Sequence, residues 1–139
     1  MATFNKINSF VENLAEKVHD LGSDTLKIAL TNSAPVATNT VLTDITQISG
    51  TNGYTTGGTA ATISSSAQTS GTYKLVLADV TFTASGGSMG PFQYAVLYND
   101  TAATDELISW WDYGSAVTLA DTETFTVDFS ASNGVMTLA

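Results

Sequence analysis

The side chains able to do chemistry are few and scattered. His19 is the only histidine, so a Ser-His-acid relay would have to run through it. It lies among charged neighbours late in a stretch with helical spacing, where an imidazole simply suits the helix dipole. A solvated helix face is its expected setting. Zinc sites draw several ligands from His and Cys, and the chain has no Cys. Paired carboxylates can hydrolyse glycosidic bonds. The acids from Asp79 to Asp128 fall mostly in turns or at outward strand positions, and Asp112, beside Trp110, Trp111 and Tyr113, is the one best placed for a sugar cleft. Asn99-Asp100 with Asp105-Glu106 offers oxygen ligands to a hard cation. The spacing matches no EF-hand loop, and an ordinary turn uses the same residue types. Gly50–Gly58 and Gly86-Gly87 with Gly90 lack a Walker lysine and a strand-to-helix setting, so they read as turns. No catalytic, cofactor-binding or metal-ligating residue is assigned.

The aromatic residues are the stronger signal. Trp110 and Trp111 sit with Tyr113, and Tyr94 and Tyr98 lie in a second apolar run. Adjacent residues of a strand face opposite ways, so the two tryptophans cannot enter one core. One is expected inside. The other meets the helix, a neighbouring subunit or a ligand such as a sugar. Aromatic side chains are frequent interface anchors.

Composition narrows the classes of function. The chain has 139 residues, four Lys or Arg, 13 Asp or Glu and a formal charge of −9. That length fits a single domain spanning 1–139, large enough to hide roughly 68% of its unfolded surface without a disulfide or metal. With no arginine there is almost nothing to neutralise phosphate, which argues against nucleic acid as a partner. No polybasic patch draws it to an anionic membrane. No apolar run is long enough to span a bilayer, and the opening residues lack a signal-peptide core. Synthesis in a cytosol is the expectation.

Two textures must position these residues. Phe4, Ile7, Val11, Leu14, Val18 and Leu21 recur at spacings of three and four, which predicts an amphipathic helix over 3–21 closed by Gly22. From 26 to 139 the chain reads as a β-rich body. Leu26, Ile28 and Leu30 alternate with Lys27 and Ala29, as in a strand. Val41–Ile48 reads as one or two helical turns capped by Thr43, or a pinned loop. Phe92–Tyr98 and Leu107–Tyr113 are rich strands around the turn Asn99–Asp105. Both are apolar on each face, so each face must be covered. Phe125, Val127 and Phe129 alternate, and Asn133-Gly134 predicts a hairpin joining that strand to Val135–Leu138. Seven or eight short strands with frequent turns predict a mainly β fold, an antiparallel β-sandwich of jelly-roll type with one N-terminal amphipathic helix.

Phe92-Gln93-Tyr94-Ala95-Val96-Leu97-Tyr98-Asn99-Asp100 and Leu107-Ile108-Ser109-Trp110-Trp111-Asp112-Tyr113-Gly114 resemble a family of small structural proteins of tailed bacteriophages. So do Phe4-Asn5-Lys6 with Phe10-Val11-Glu12, and Leu26-Lys27-Ile28-Ala29-Leu30-Thr31-Asn32. The resemblance covers nearly the whole chain and lies in packing residues. Within that family the chain is most similar to head decoration, or cement, proteins. These are β-rich, often trimeric, and bind the outside of the capsid lattice at threefold or quasi-threefold positions. The resemblance implies no catalytic residue and no cofactor. It implies the major capsid protein and a homotrimer as partners, and location on the virion after synthesis in the bacterial host cytoplasm. A tail or fibre component that binds a receptor or carbohydrate is the alternative. The expected contact residues are Phe4, Ile7, Val11, Leu14 and Val18 on the helix stripe, with Trp110 and Trp111.

Overall fold

A computed structural model describes residues 2–139. The architecture is mainly β and antiparallel, with one short α-helix, as the patterning predicts. Ten strands follow in chain order: β1 (Asn5–Lys6), β2 (Leu26–Thr31), β3 (Thr59–Ala61), β4 (Ile63–Thr69), β5 (Thr72–Leu77), β6 (Val80–Thr83), β7 (Met89–Asn99), β8 (Leu107–Leu119), β9 (Thr124–Val127) and β10 (Met136–Leu138). The main sheet has five strands in the order β1-β8-β7-β2-β3. A second layer is made by the three-stranded sheet β10-β5-β4 and the pair β6-β9.

The β7–β8 hairpin is the centre. Its two runs pair antiparallel, with Val96 opposite Trp110 and Leu97 opposite Ser109. Strand β2 lies on the other side of β7, Ile28 against Leu97 and Leu30 against Ala95. Ile28, Leu30, Val96, Leu97, Leu107 and Ile108 are fully enclosed. They share one core with Leu75, Leu77 and Phe82 of the second layer. Strands covered on both faces carry apolar residues in succession rather than in alternation, which is why the β7 and β8 runs read as they do. Among the described residues no helix is long and apolar enough to cross a membrane.

The helix over 3–21 is not formed. Asn5 and Lys6 instead pair with Trp110 and Ser109 at the border of the main sheet, and the Ile7 amide donates to the Ile108 carbonyl at 3.0 Å. The α-helix α1 is only Phe10–Ala15. Lys17 takes a left-handed conformation at φ 65°, and the Val18 amide reaches back to the Asn13 carbonyl at 2.8 Å. That is a Schellman-like stop, placed at Lys17 rather than at Gly22. Three-four spacing is satisfied locally by a strand, a short helix and a turn that each send apolar groups inward. Sheet pairing at a ready-made border outweighs the weak intrinsic preference of a short helix.

Two further expectations are corrected. Asn133-Gly134 does make a turn, with the Gly134 amide donating to Ser130 at 2.8 Å, but its flanks do not pair. Strand β9 pairs with β6 and β10 with β5, so the turn crosses between sheets. Each short strand finds its partner in an earlier strand, which no local turn signal encodes. Over Val41–Ile48 the helical part is a single 3-10 turn, Leu42–Asp44. The Asp44 carboxylate, not Thr43, closes it, accepting the Thr40 and Val41 amides at 2.8 and 3.2 Å. Those donors hold its pKa below the usual carboxylate range, with the Thr40 amide contributing most.

The candidate functional site is an aromatic cleft

Strand β8 ends its buried stretch at Ser109, and the following residues emerge toward solvent. Trp111 therefore stands half-buried at the margin of the main sheet. Segments from both ends of the chain close around it. The Phe4 ring meets Trp111 edge to face at 5.7 Å, and Phe129, just beyond β9, meets it at 5.6 Å. Phe125 of β9 meets Phe92 at 5.0 Å and Tyr113 at 5.3 Å. Edge-to-face pairs of this kind add about 0.5–1.5 kcal/mol each beyond area burial. Between them lies an open cleft of about 310 Å³. Gln93, Tyr94, Ser130 and Asn133 contribute polar groups to its lining, and Asp128 is its one carboxylate. Tyr113 is the most exposed ring of the group, at 58%.

The expected contact residues are thus divided. Phe4 and Trp111 meet in the cleft. Trp110, on the opposite face of β8, packs half-buried against the core, as does Leu14. Val18 is half-buried and Val11 is 49% exposed on α1. Ile7 is corrected: at 0% exposure it belongs to the core and presents nothing to a partner. Phe92, Phe125, Phe129 and Tyr113 were not legible as one site. Their alternation marks strands, but not that β9 and its exit lie over β7 and β8.

The polar candidates fall elsewhere. Asp112 is exposed and anchored in its own hairpin, accepting from Gln93 at 2.9 Å and from the Gly114 amide at 2.7 Å. The oxygens of the Asn99–Glu106 turn serve the turn itself. Asn99 Oδ1 accepts the Thr101 amide at 2.9 Å, Glu106 accepts the Thr104 hydroxyl at 2.6 Å, and Asp100 pairs with Lys27 at 3.0 Å. Among the described residues no three His, Asp or Glu gather as metal ligands.

His19 is not on a solvated face. It is 4% exposed, stacked near Phe10 at 5.5 Å, and its Nδ1 accepts from the Asn99 amide at 3.0 Å. The ring proton therefore belongs on Nε2, which is buried without a partner. The same Asn99 amide donates to Asp24 at 2.6 Å, so the histidine ties the segment after α1 to the end of β7. Burial pulls the imidazole pKa below 6.5, and the nearby Glu106 and Asp24 charges only partly oppose this. The unfolded chain takes up a proton near pH 6.5 while the folded chain does not. This contribution to stability is full above about pH 6.5 and is lost as the pH falls toward the folded-state pKa. His19→Gln is expected to flatten that slope, which can reach about 1.4 kcal/mol per pH unit. Urea unfolding between about pH 7.5 and 5.5 checks it. Equal slopes in both proteins would mean that burial does not shift the imidazole in the folded chain.

Fold and cleft together define a small antiparallel β-sandwich with an open aromatic surface. No family model matches this chain, and no curated protein or solved structure matches it either.

Proposed function

We propose that this chain is a non-enzymatic structural protein of a bacteriophage virion, a head decoration protein that binds the capsid lattice as a trimer. The observation that carries this reading is the aromatic cleft around Trp111, where Phe4, Phe129 and Tyr113 converge on a surface open to solvent. Clustered aromatic rings of that kind are what interface anchors use. The resemblance of the β7 and β8 segments to phage decoration proteins supports the same partner, the major capsid protein. In this mechanism apolar area is buried across capsomer boundaries and no bond is made or broken. Weak contacts repeated over a lattice give large avidity. Binding the assembled shell and not its free subunits stabilises the shell by mass action.

Trp111→Ala is expected to weaken binding to undecorated heads at least about tenfold, the loss typical of an anchor residue. Tyr113→Ala, at a rim position, should cost less. Cosedimentation of purified protein with heads measures both, with circular dichroism to show that each variant is folded. Undiminished binding by a folded Trp111→Ala variant would reject the cleft as the contact. The alternative, a tail or fibre component that binds carbohydrate, is favoured by the Gln93, Ser130 and Asn133 polar groups among the rings. Glycan binding by the purified protein, lost in Trp111→Ala, would select it.

A further inference from the structure

We propose that the aromatic cleft takes an arginine of the partner protein, carried on a segment beside an apolar residue. The inference deepens the function above and rests on the cleft being the contact surface. The floor of the cleft reaches the core at Leu30 and Ala95, which are 0% and 8% exposed. The rings of Phe4, Trp111 and Phe129 meet along its wall. That depth and lining suit an apolar side chain. The rim is different. Asp128 directly follows β9 and is an exposed member of the lining. Among the described residues the one ion pair is Lys27 with Asp100, so Asp128 has no cation partner there. None of the four lysines lines the cleft. Lys74, whose stem passes Gly134, holds its amino group on the Ser132 carbonyl at 3.0 Å. Asp112 brings a second carboxylate close by, bonded to Gln93 of the lining at 2.9 Å.

Charge complementarity selects the occupant. An unpaired carboxylate beside a bed of rings suits a cation on an apolar stem. Arginine lays its stem on apolar surface, stacks its planar guanidinium on aromatic faces and meets a carboxylate with two N–H groups at once. The exposed Tyr113 ring offers such a face. A lysine ammonium is more strongly hydrated and gains less there. This chain has no arginine and a net charge of −9, so the cation comes from another protein. A second copy fits the cleft poorly. It brings the same −9, and two of its four lysines are engaged, Lys27 with Asp100 and Lys74 with Ser132. A sugar needs free polar groups, yet the Gln93 amide is spent on Asp112, and the Ser130 hydroxyl accepts the Asn133 amide at 3.1 Å and bonds Ser132 at 3.2 Å.

Tryptophan fluorescence of the full chain, titrated with two capped tripeptides, tests this without heads. The probes are acetyl-Leu-Arg-Leu-amide and its neutral analogue acetyl-Leu-Gln-Leu-amide. The arginine peptide is expected to bind about fivefold tighter or more at about 20 mM salt, and the preference should shrink at about 500 mM. Asp128→Asn should abolish the preference. Glu16→Gln removes the same charge from an exposed position outside the lining and should keep it, which separates the cleft from the overall charge. Trp111→Ala should lose the response to both peptides. Circular dichroism shows that the variants are folded. No response to the arginine peptide up to about 10 mM would overturn the proposal. So would equal affinity for the two peptides, a preference that survives Asp128→Asn, or one lost equally in Glu16→Gln. Trp111-dependent head binding without an arginine preference would reject this occupant and leave the function standing. An arginine preference without head binding would do the reverse.

Discussion

Alanine in place of Gly58 is expected to cost about 3 kcal/mol or more, a large share of the stability of a domain this size. Gly58 adopts φ +75°, and an added Cβ would lie 1.8 Å from the Ile28 carbonyl oxygen and 2.9 Å from the Ala29 Cα. Those atoms belong to the backbone of β2, which is held on both sides, by β7 and by β3. The loop cannot retreat either. The Tyr98 hydroxyl donates to the Gly57 carbonyl at 2.6 Å. Tyr54 takes the Leu30 amide at 3.1 Å and donates to Gln47 at 2.6 Å, and burial pushes its pKa up to about 12. Gly86→Ala is the control. Its φ is +80° but nothing lies within 4 Å of an added Cβ, so backbone strain of about 1 kcal/mol is the whole expected cost. Urea unfolding of the two variants separates steric collision from strain. Equal losses would mean that β2 yields.

Ile7→Asp is expected to cost about 4 kcal/mol or more, and Val11→Asp less than about 0.5 kcal/mol. The two positions lie on one stripe of the expected helix and would then suffer alike. In the folded chain Ile7 is fully enclosed where the N-terminal strand meets β8, whereas Val11 is 49% exposed on α1. A carboxylate at position 7 would be buried with no cation near in sequence but Lys6. At position 11 it would be hydrated. Chemical denaturation of both variants decides between a strand-turn-helix segment and a continuous helix. Comparable losses at the two sites would restore the helix.

These contrasts show what was legible in the residues. Leu26–Leu30 announces its strand through alternation, and the β7 and β8 runs announce burial on both faces by carrying large groups at successive positions. Such signals are local. The N-terminal segment misleads because its apolar spacing suits a helix equally well as three unlike pieces, and the deciding contact, Asn5 with Trp110, lies far along the chain. Asn133-Gly134 misleads for the same reason, since the turn is present while the partners of its flanks are β5 and β6. The cleft was half legible. Trp111 and Phe4 stood out as apolar groups in need of cover, but Phe125 and Phe129 join them only through the packing of one layer on the other. His19 gave no sign of burial because its partner, Asn99, closes a turn eighty positions away.

The pairing of the N-terminal strand with β8 also has a bearing on synthesis. As the chain leaves the ribosome, Asn5 and Lys6 emerge early, but Ser109 and Trp110 follow only after most of the sequence has been made. Strand β2 likewise waits for β7 before its inner side is satisfied. Contacts of such long sequence separation close loops before they gain energy, which makes folding slow. Until the β7–β8 hairpin is translated, the nascent chain holds apolar strands with nothing to cover them. The first two thirds of this molecule thus emerges in the state most prone to aggregation, with little early local structure to protect it.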